Sequence, residues 1–95
     1  MDYKVEVIVE KRIIHSKIYP AYSHPNQVVR KAIKAVGTNN DYMQILVVNG
    51  FGEVWSYVAE KKGSSYKAWP TGNTVTSKNE VLMAFSGNKS IAELL

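Results

Sequence analysis

Residues suited to acid–base or metal chemistry are sparse in this chain. Its only imidazoles are His15 and His24, which the surrounding pattern places in a strand and at a helix cap. They lack the spacing at which two histidines share a metal ion. Ser16 and Ser23 lie beside them, yet nothing in the sequence orders a serine and a histidine into a nucleophile–base pair. Glu6, Glu10, Glu53 and Glu60 fall on expected solvent faces and turns, and read as solvated charges. Gly50-Phe51-Gly52 is a lone turn fragment rather than a phosphate-binding loop. The sequence therefore predicts no catalytic residue, no metal and no cofactor, and an enzyme ranks last among the functions considered.

Binding surface is the chemistry on offer instead. Trp55, Tyr57, Tyr66 and Trp69 are interleaved with Lys61, Lys62 and Lys67. Rings on which bases stack, among cations that follow a phosphate backbone, make a single-stranded nucleic-acid platform. The same aromatics also suit cross-strand pairing within a sheet, or an exposed patch for a protein partner. Arg30, Lys31 and Lys34 project from the polar side of an expected helix, where they face solvent, phosphates or an acidic protein. Ile91, Leu94 and Leu95 form an apolar tail that either folds back on the domain or docks on a second copy as a homodimer contact.

A net charge of +4 and a pI near 9.4 favour an anionic partner through long-range attraction. The absence of cysteine excludes disulfides and thiolate metal sites. Met1-Asp2-Tyr3-Lys4 opens without an apolar leader, and the longest purely apolar run, residues 45–48, is far short of the roughly 20 residues a membrane helix needs. Asn88-Lys89-Ser90 matches a glycosylation sequon by chance. The expectation is a soluble, cytoplasmic protein with no membrane partner. Residues 1–95 are read as one domain, with a core over about 3–87 and a tail over 88–95.

The elements that must position these groups follow from periodicity. Residues 3–10 alternate with period two, Tyr3, Val5, Val7 and Val9 against Lys4, Glu6 and Glu10, and predict a strand. Residues 13–19 make a second strand with Ile14 and Ile18 inward, closing a hairpin. Ser23 or His24 caps a helix over Pro25–Val36, with Val28, Val29, Ala32, Ile33 and Val36 as its apolar stripe and Gly37 as its stop. Residues 43–48 read as a central strand buried on both faces, turning at Asn49-Gly50. Residues 54–60 are a further strand, and residues 66–69 pair back as a short strand or lie as coil, broken at Pro70. Residues 80–86 are expected to be the last strand, Val81, Met83 and Phe85 alternating with Leu82 and Ala84. Ser90-Ile91-Ala92-Glu93 fits a capping box and predicts one helical turn.

The expected class is α+β, one helix packed on a four- to five-stranded, mostly antiparallel or mixed sheet. A hairpin ending at Pro20, the helix with Val28-Val29 and Ala32-Ile33, the apolar strand over 44–48 turning at Asn49-Gly50, and Thr74-Val75-Thr76 ahead of a final strand over 79–85 follow in order. This β-β-α-β-β-β order resembles the β-grasp fold of ubiquitin and the sulfur-carrier proteins over about residues 3–87. A hairpin and helix followed by a four-stranded meander is the alternative. The sequence closes on Glu93-Leu94-Leu95 rather than on a glycine pair, so the resemblance implies the scaffold and not the modifier chemistry. It implies a non-enzymatic protein-interaction module, such as an adaptor or a small regulatory or virally encoded protein, that uses an exposed sheet face. The alternative function is a small basic protein that binds single-stranded DNA or RNA.

Overall fold

A computed structural model describes all residues, 1–95. Along the chain run β1 (Tyr3–Val9), β2 (Arg12–Tyr19), α1 (Pro25–Val36), β3 (Tyr42–Asn49), β4 (Glu53–Lys62), β5 (Ser65–Val75), α2 (Lys78–Ser86) and a 3-10 turn (Ile91–Leu94). The strands form one five-stranded sheet in the order β2-β1-β3-β4-β5, antiparallel throughout. No helix is long and apolar enough to cross a membrane.

Because side chains alternate across a strand, register decides which residues share a face. Tyr3, Val5 and Val7 pair with Asn49, Val47 and Ile45, and this first face carries α1. Val28, Val29 and Ala32 of the helix pack there against Val5, Val7, Met43, Ile45, Val47 and Ala59. The helix begins where expected. The His24 Nδ1 atom accepts the Asn26 N–H at 3.1 Å, and the Gln27 Oε1 atom accepts the His24 N–H at 3.1 Å. Gly37 stops it at φ 78°, donating its N–H to the Ile33 carbonyl.

The second face has its own core of Leu46, Val48 and Val54 beneath Val81, Ala84 and Ile91. Its cover is the largest correction to the sequence reading. Residues 80–86 form part of a second helix, α2, so neither the final strand nor the four-stranded meander is present, and the sheet has no parallel pair. Both ends of the segment carry helix signals. The Ser77 Oγ atom accepts the Glu80 N–H at 3.3 Å, and Gly87 closes the helix in the left-handed region at φ 83°. An unbroken apolar run between two such caps satisfies a helix and a strand equally by period alone.

That cover also changes the fate of β1's polar residues. Lys4 and Glu6 lie under α2 and the 3-10 turn and are buried, where a solvated Glu6 was expected. The Lys4 Nζ atom donates to the Ala84 carbonyl at 2.6 Å, and the Ile91 N–H donates to the Glu6 Oε1 atom at 2.7 Å. The apolar tail is thereby seated, with Ile91 fully buried. On β2, Ile14 and Ile18 stay 42% and 39% exposed instead of pointing into a core. The strand lies at the sheet edge, beyond the reach of the second-face cover, and only its Tyr19 is buried. At the opposite edge β5 continues through Pro70 with a bulge at Thr71 beside it, which an edge strand tolerates because no second neighbour needs the missing N–H.

Candidate functional site

The sheet divides the aromatic and lysine residues that the sequence groups together. Register puts Trp55, Tyr57, Lys61 and Tyr66 on the α1 face, and Lys62, Lys67 and Trp69 on the second face. Tyr57 is buried, and its hydroxyl donates to the Asn26 Oδ1 atom at 2.7 Å. The Tyr66 hydroxyl donates to the Asn40 carbonyl, and the Lys61 Nζ atom to the Thr38 carbonyl at 2.9 Å. Tyr57 thereby ties α1 to the sheet, and Tyr66 and Lys61 tie down the loop that follows α1. Across the sheet Lys62 pairs with Glu60 at 3.0 Å, on the solvated side of Trp69 and Lys67. Arg30, Lys31 and Lys34 are exposed on the back of α1, and none of them enters an ion pair. Ile91 is committed to the second core, leaving Leu94 half-buried and Leu95 exposed.

Two surfaces remain. The first is an open cleft of about 670 Å³ at the end of the α1 face. Antiparallel pairing brings the start of β1, the end of β3 and the start of β4 side by side there, under the first residues of α1. Tyr3, Trp55 and Tyr57 form its aromatic wall, with the Tyr3 and Trp55 ring centres 6.1 Å apart at 53°. Asn26, Asn49 and Asn73 supply amide groups and His24 an imidazole, and Glu53 is the only carboxylate on its lining.

Asn49 sets the position of Glu53. It is buried at the end of β3, and its Oδ1 atom accepts the N–H groups of Phe51 and Glu53, each at 3.0 Å. Its Nδ2 atom donates to the Glu53 Oε1 atom at 3.0 Å. Burial, and then the Glu53 charge, push the Tyr3 phenol above its ordinary value. Burial and the neighbouring Tyr3 do the same for Tyr57. Both phenols are therefore neutral hydrogen-bonding groups at physiological pH. His24 uses its Nδ1 atom as the helix-cap acceptor, so its ring proton sits on Nε2 when the imidazole is neutral. His15 lies far from this cleft on β2, beside the Tyr19 hydroxyl at 2.9 Å, and burial with the Lys17 charge lowers its pKa. No group of three His, Asp or Glu is placed to hold a metal ion.

The second surface is the part of the second face that α2 and the 3-10 turn leave open. One register row crosses all five strands there: Ile13, Ile8, Gln44, Val58 and Trp69. Ile13 is 46% and Trp69 37% exposed, and Tyr42, one position along β3 on the same face, is 56% exposed. Ile8 packs against the second core and Gln44 and Val58 are half-buried, so the row opens to water chiefly at its two ends.

Sequence reasoning found Trp55, Tyr57 and Trp69 but missed Tyr3, Asn49, Glu53 and the β2–β1 end of the row. The cleft draws on four strands and a helix, and only register brings such residues together. One local signal was present: an Asn two residues before a turn-forming Phe51-Gly52 is placed to accept backbone N–H groups. Comparison with known protein families, with curated proteins and with solved structures finds no match.

Proposed function

We propose that the protein is a non-enzymatic interaction module that binds another protein through the open row of the second sheet face. The observation that carries this reading is the continuous row Ile13–Ile8–Gln44–Val58–Trp69, apolar at four of its positions and exposed at its two ends. Lys62 and Lys67 border its β4–β5 end, where Lys62 pairs with Glu60. The fitting partner presents an apolar surface bordered by carboxylates. Such a surface does not require a ubiquitin-like scaffold, since residues 78–86 are helical where that resemblance called for its last strand.

Affinity capture with three forms of the chain tests the reading. A specific partner retained by wild type and by Trp55→Ala, whose change lies on the other face, is expected to be lost with Val58→Lys. Equal retention by all three would remove the sheet face as the contact. A second reading, nucleic-acid binding, is supported by the unpaired cations Arg30, Lys31 and Lys34. It predicts retention of single-stranded DNA or RNA that falls steeply with salt and disappears when the three are changed to alanine.

A further inference from the structure

The cleft on the α1 face is separate from the proposed protein-binding row, and its chemistry is unlike that of the rest of the surface. The chain carries 12 lysines and arginines, yet none of them lines the cleft, and Glu53 is its one carboxylate. A phosphate or carboxylate would meet the Glu53 carboxylate there with no lysine or arginine beside it. The volume of about 670 Å³ falls within the range of small-ligand sites.

Glu53 is fixed before any ligand arrives. Both its backbone N–H and its Oε1 atom are held by the buried Asn49, at 3.0 Å each. A charge positioned in this way loses little freedom on binding. Beside it Tyr3 and Tyr57 are buried, Tyr57 locked by Asn26, and back the half-buried Trp55, whose ring is the accessible one and stands at 53° to Tyr3. Ring faces carry partial negative charge and attract cations that shed their water easily, with indole the strongest. A strongly hydrated metal ion would need several oxygen ligands, and the cleft has only one carboxylate. An alkylated ammonium group needs only rings and one counter-charge.

We infer that this cleft binds a compact organic cation, an alkylated ammonium group seated against the Trp55 ring with the Glu53 carboxylate as its counter-ion. The cation arrives either on a free molecule of the choline type or on the methylated lysine side chain of a peptide. Both present the same group to the same wall.

The test is a titration of the full chain followed by its amide and indole N–H resonances. The chain's two tryptophans make the readout internal, because Trp69 lies on the opposite face. Choline, tetramethylammonium and a trimethyl-lysine peptide are the probes, and the peptide binding much more tightly than choline would identify a side chain as the source. Saturable movement of the Trp55 indole signal, with that of Trp69 still, is expected. The uncharged isostere of choline, with a tert-butyl group replacing trimethylammonium, should bind about tenfold more weakly or worse. Glu53→Gln keeps the acceptor for Asn49 and should weaken choline by a similar factor with the amide spectrum otherwise unchanged. Equal binding of choline and its uncharged isostere would overturn the inference. So would wild-type affinity in Glu53→Gln, or the absence of a saturable shift with all three cations.

Discussion

Gly52 shows how little freedom the turn beside Asn49 allows. It sits at φ 87°, and a Cβ there would lie 2.5 Å from the Thr76 carbonyl oxygen, a backbone atom that accompanies the Thr76 N–H bond to Gly52. Gly52→Ala therefore combines a left-handed backbone with a collision that no rotamer relieves. The expected cost is at least about 2 kcal/mol, or roughly 10 °C in Tm. Gly72→Ala, whose Cβ would meet nothing nearer than the Ser56 Cβ at 4.0 Å, should leave the melting temperature almost unmoved. Thermal denaturation of the pair separates the two. Glu6 makes a different prediction. Burial raises its pKa, and the Ile91 N–H and the Lys4 charge only partly oppose this. A carboxyl with a raised folded-state pKa binds its proton more readily in the folded chain than in the unfolded one. Its contribution is thus full below the ordinary glutamate value and is lost as pH rises through the raised one. Denaturant unfolding across mildly acidic pH should show stability falling in that window, and Glu6→Gln should flatten the fall. An unchanged slope in the variant would assign the dependence to other groups.

At the scale of elements, α2 depends on its N-cap. Ser77→Ala removes the acceptor for the Glu80 N–H and should cost about 1 kcal/mol. Hydrogen exchange should show the loss first in α2 and the 3-10 turn rather than in α1. The same helix marks where the sequence stops being legible. β1, β3 and α1 could be read because each has one dominant period: Val5 and Val7 alternate, residues 45–48 are apolar on both faces, and Val28, Val29 and Ala32 return every turn. Residues 81–85 have no polar interruption, so the decision passes to Ser77 and Gly87, which lie outside the run. Once that stretch is helical, everything that depends on it follows. Lys4 and Glu6 become buried tethers, Ile91 gains a core, and Ile14 and Ile18 lose the cover a two-faced β2 would have had. The site was half legible for a related reason. Aromatic residues announce themselves singly, whereas the Tyr3–Asn49 and Trp55–Val47 pairings that build the cleft are properties of the register.

At the scale of the molecule, one sheet serves two tasks on opposite faces. The α1 side is packed except at the cleft, and the second side is packed at one end and opens along the half-buried row through Val58 toward Ile13 and Trp69. Changing the open row should therefore leave folding alone. Val58→Lys is expected to shift stability by no more than about 0.5 kcal/mol, while raising the concentration at which the protein stays monomeric. Sedimentation alongside thermal unfolding measures both, and a large loss of stability would mean that the row is part of the core.

The Lys4–Ala84 and Glu6–Ile91 bonds join groups 80 and 85 residues apart. On a ribosome the first strand emerges with two charged side chains whose partners have yet to be synthesised. The first face can close over α1 once β3 and β4 are out, but the second must wait for the residues after Gly87. At about 5–20 residues per second the nascent chain spends seconds as a half-clad sheet, its Leu46 and Val48 side wet and available to other chains. A C-terminal deletion that removes Ile91 would leave Glu6 without its partner and that side covered by α2 alone.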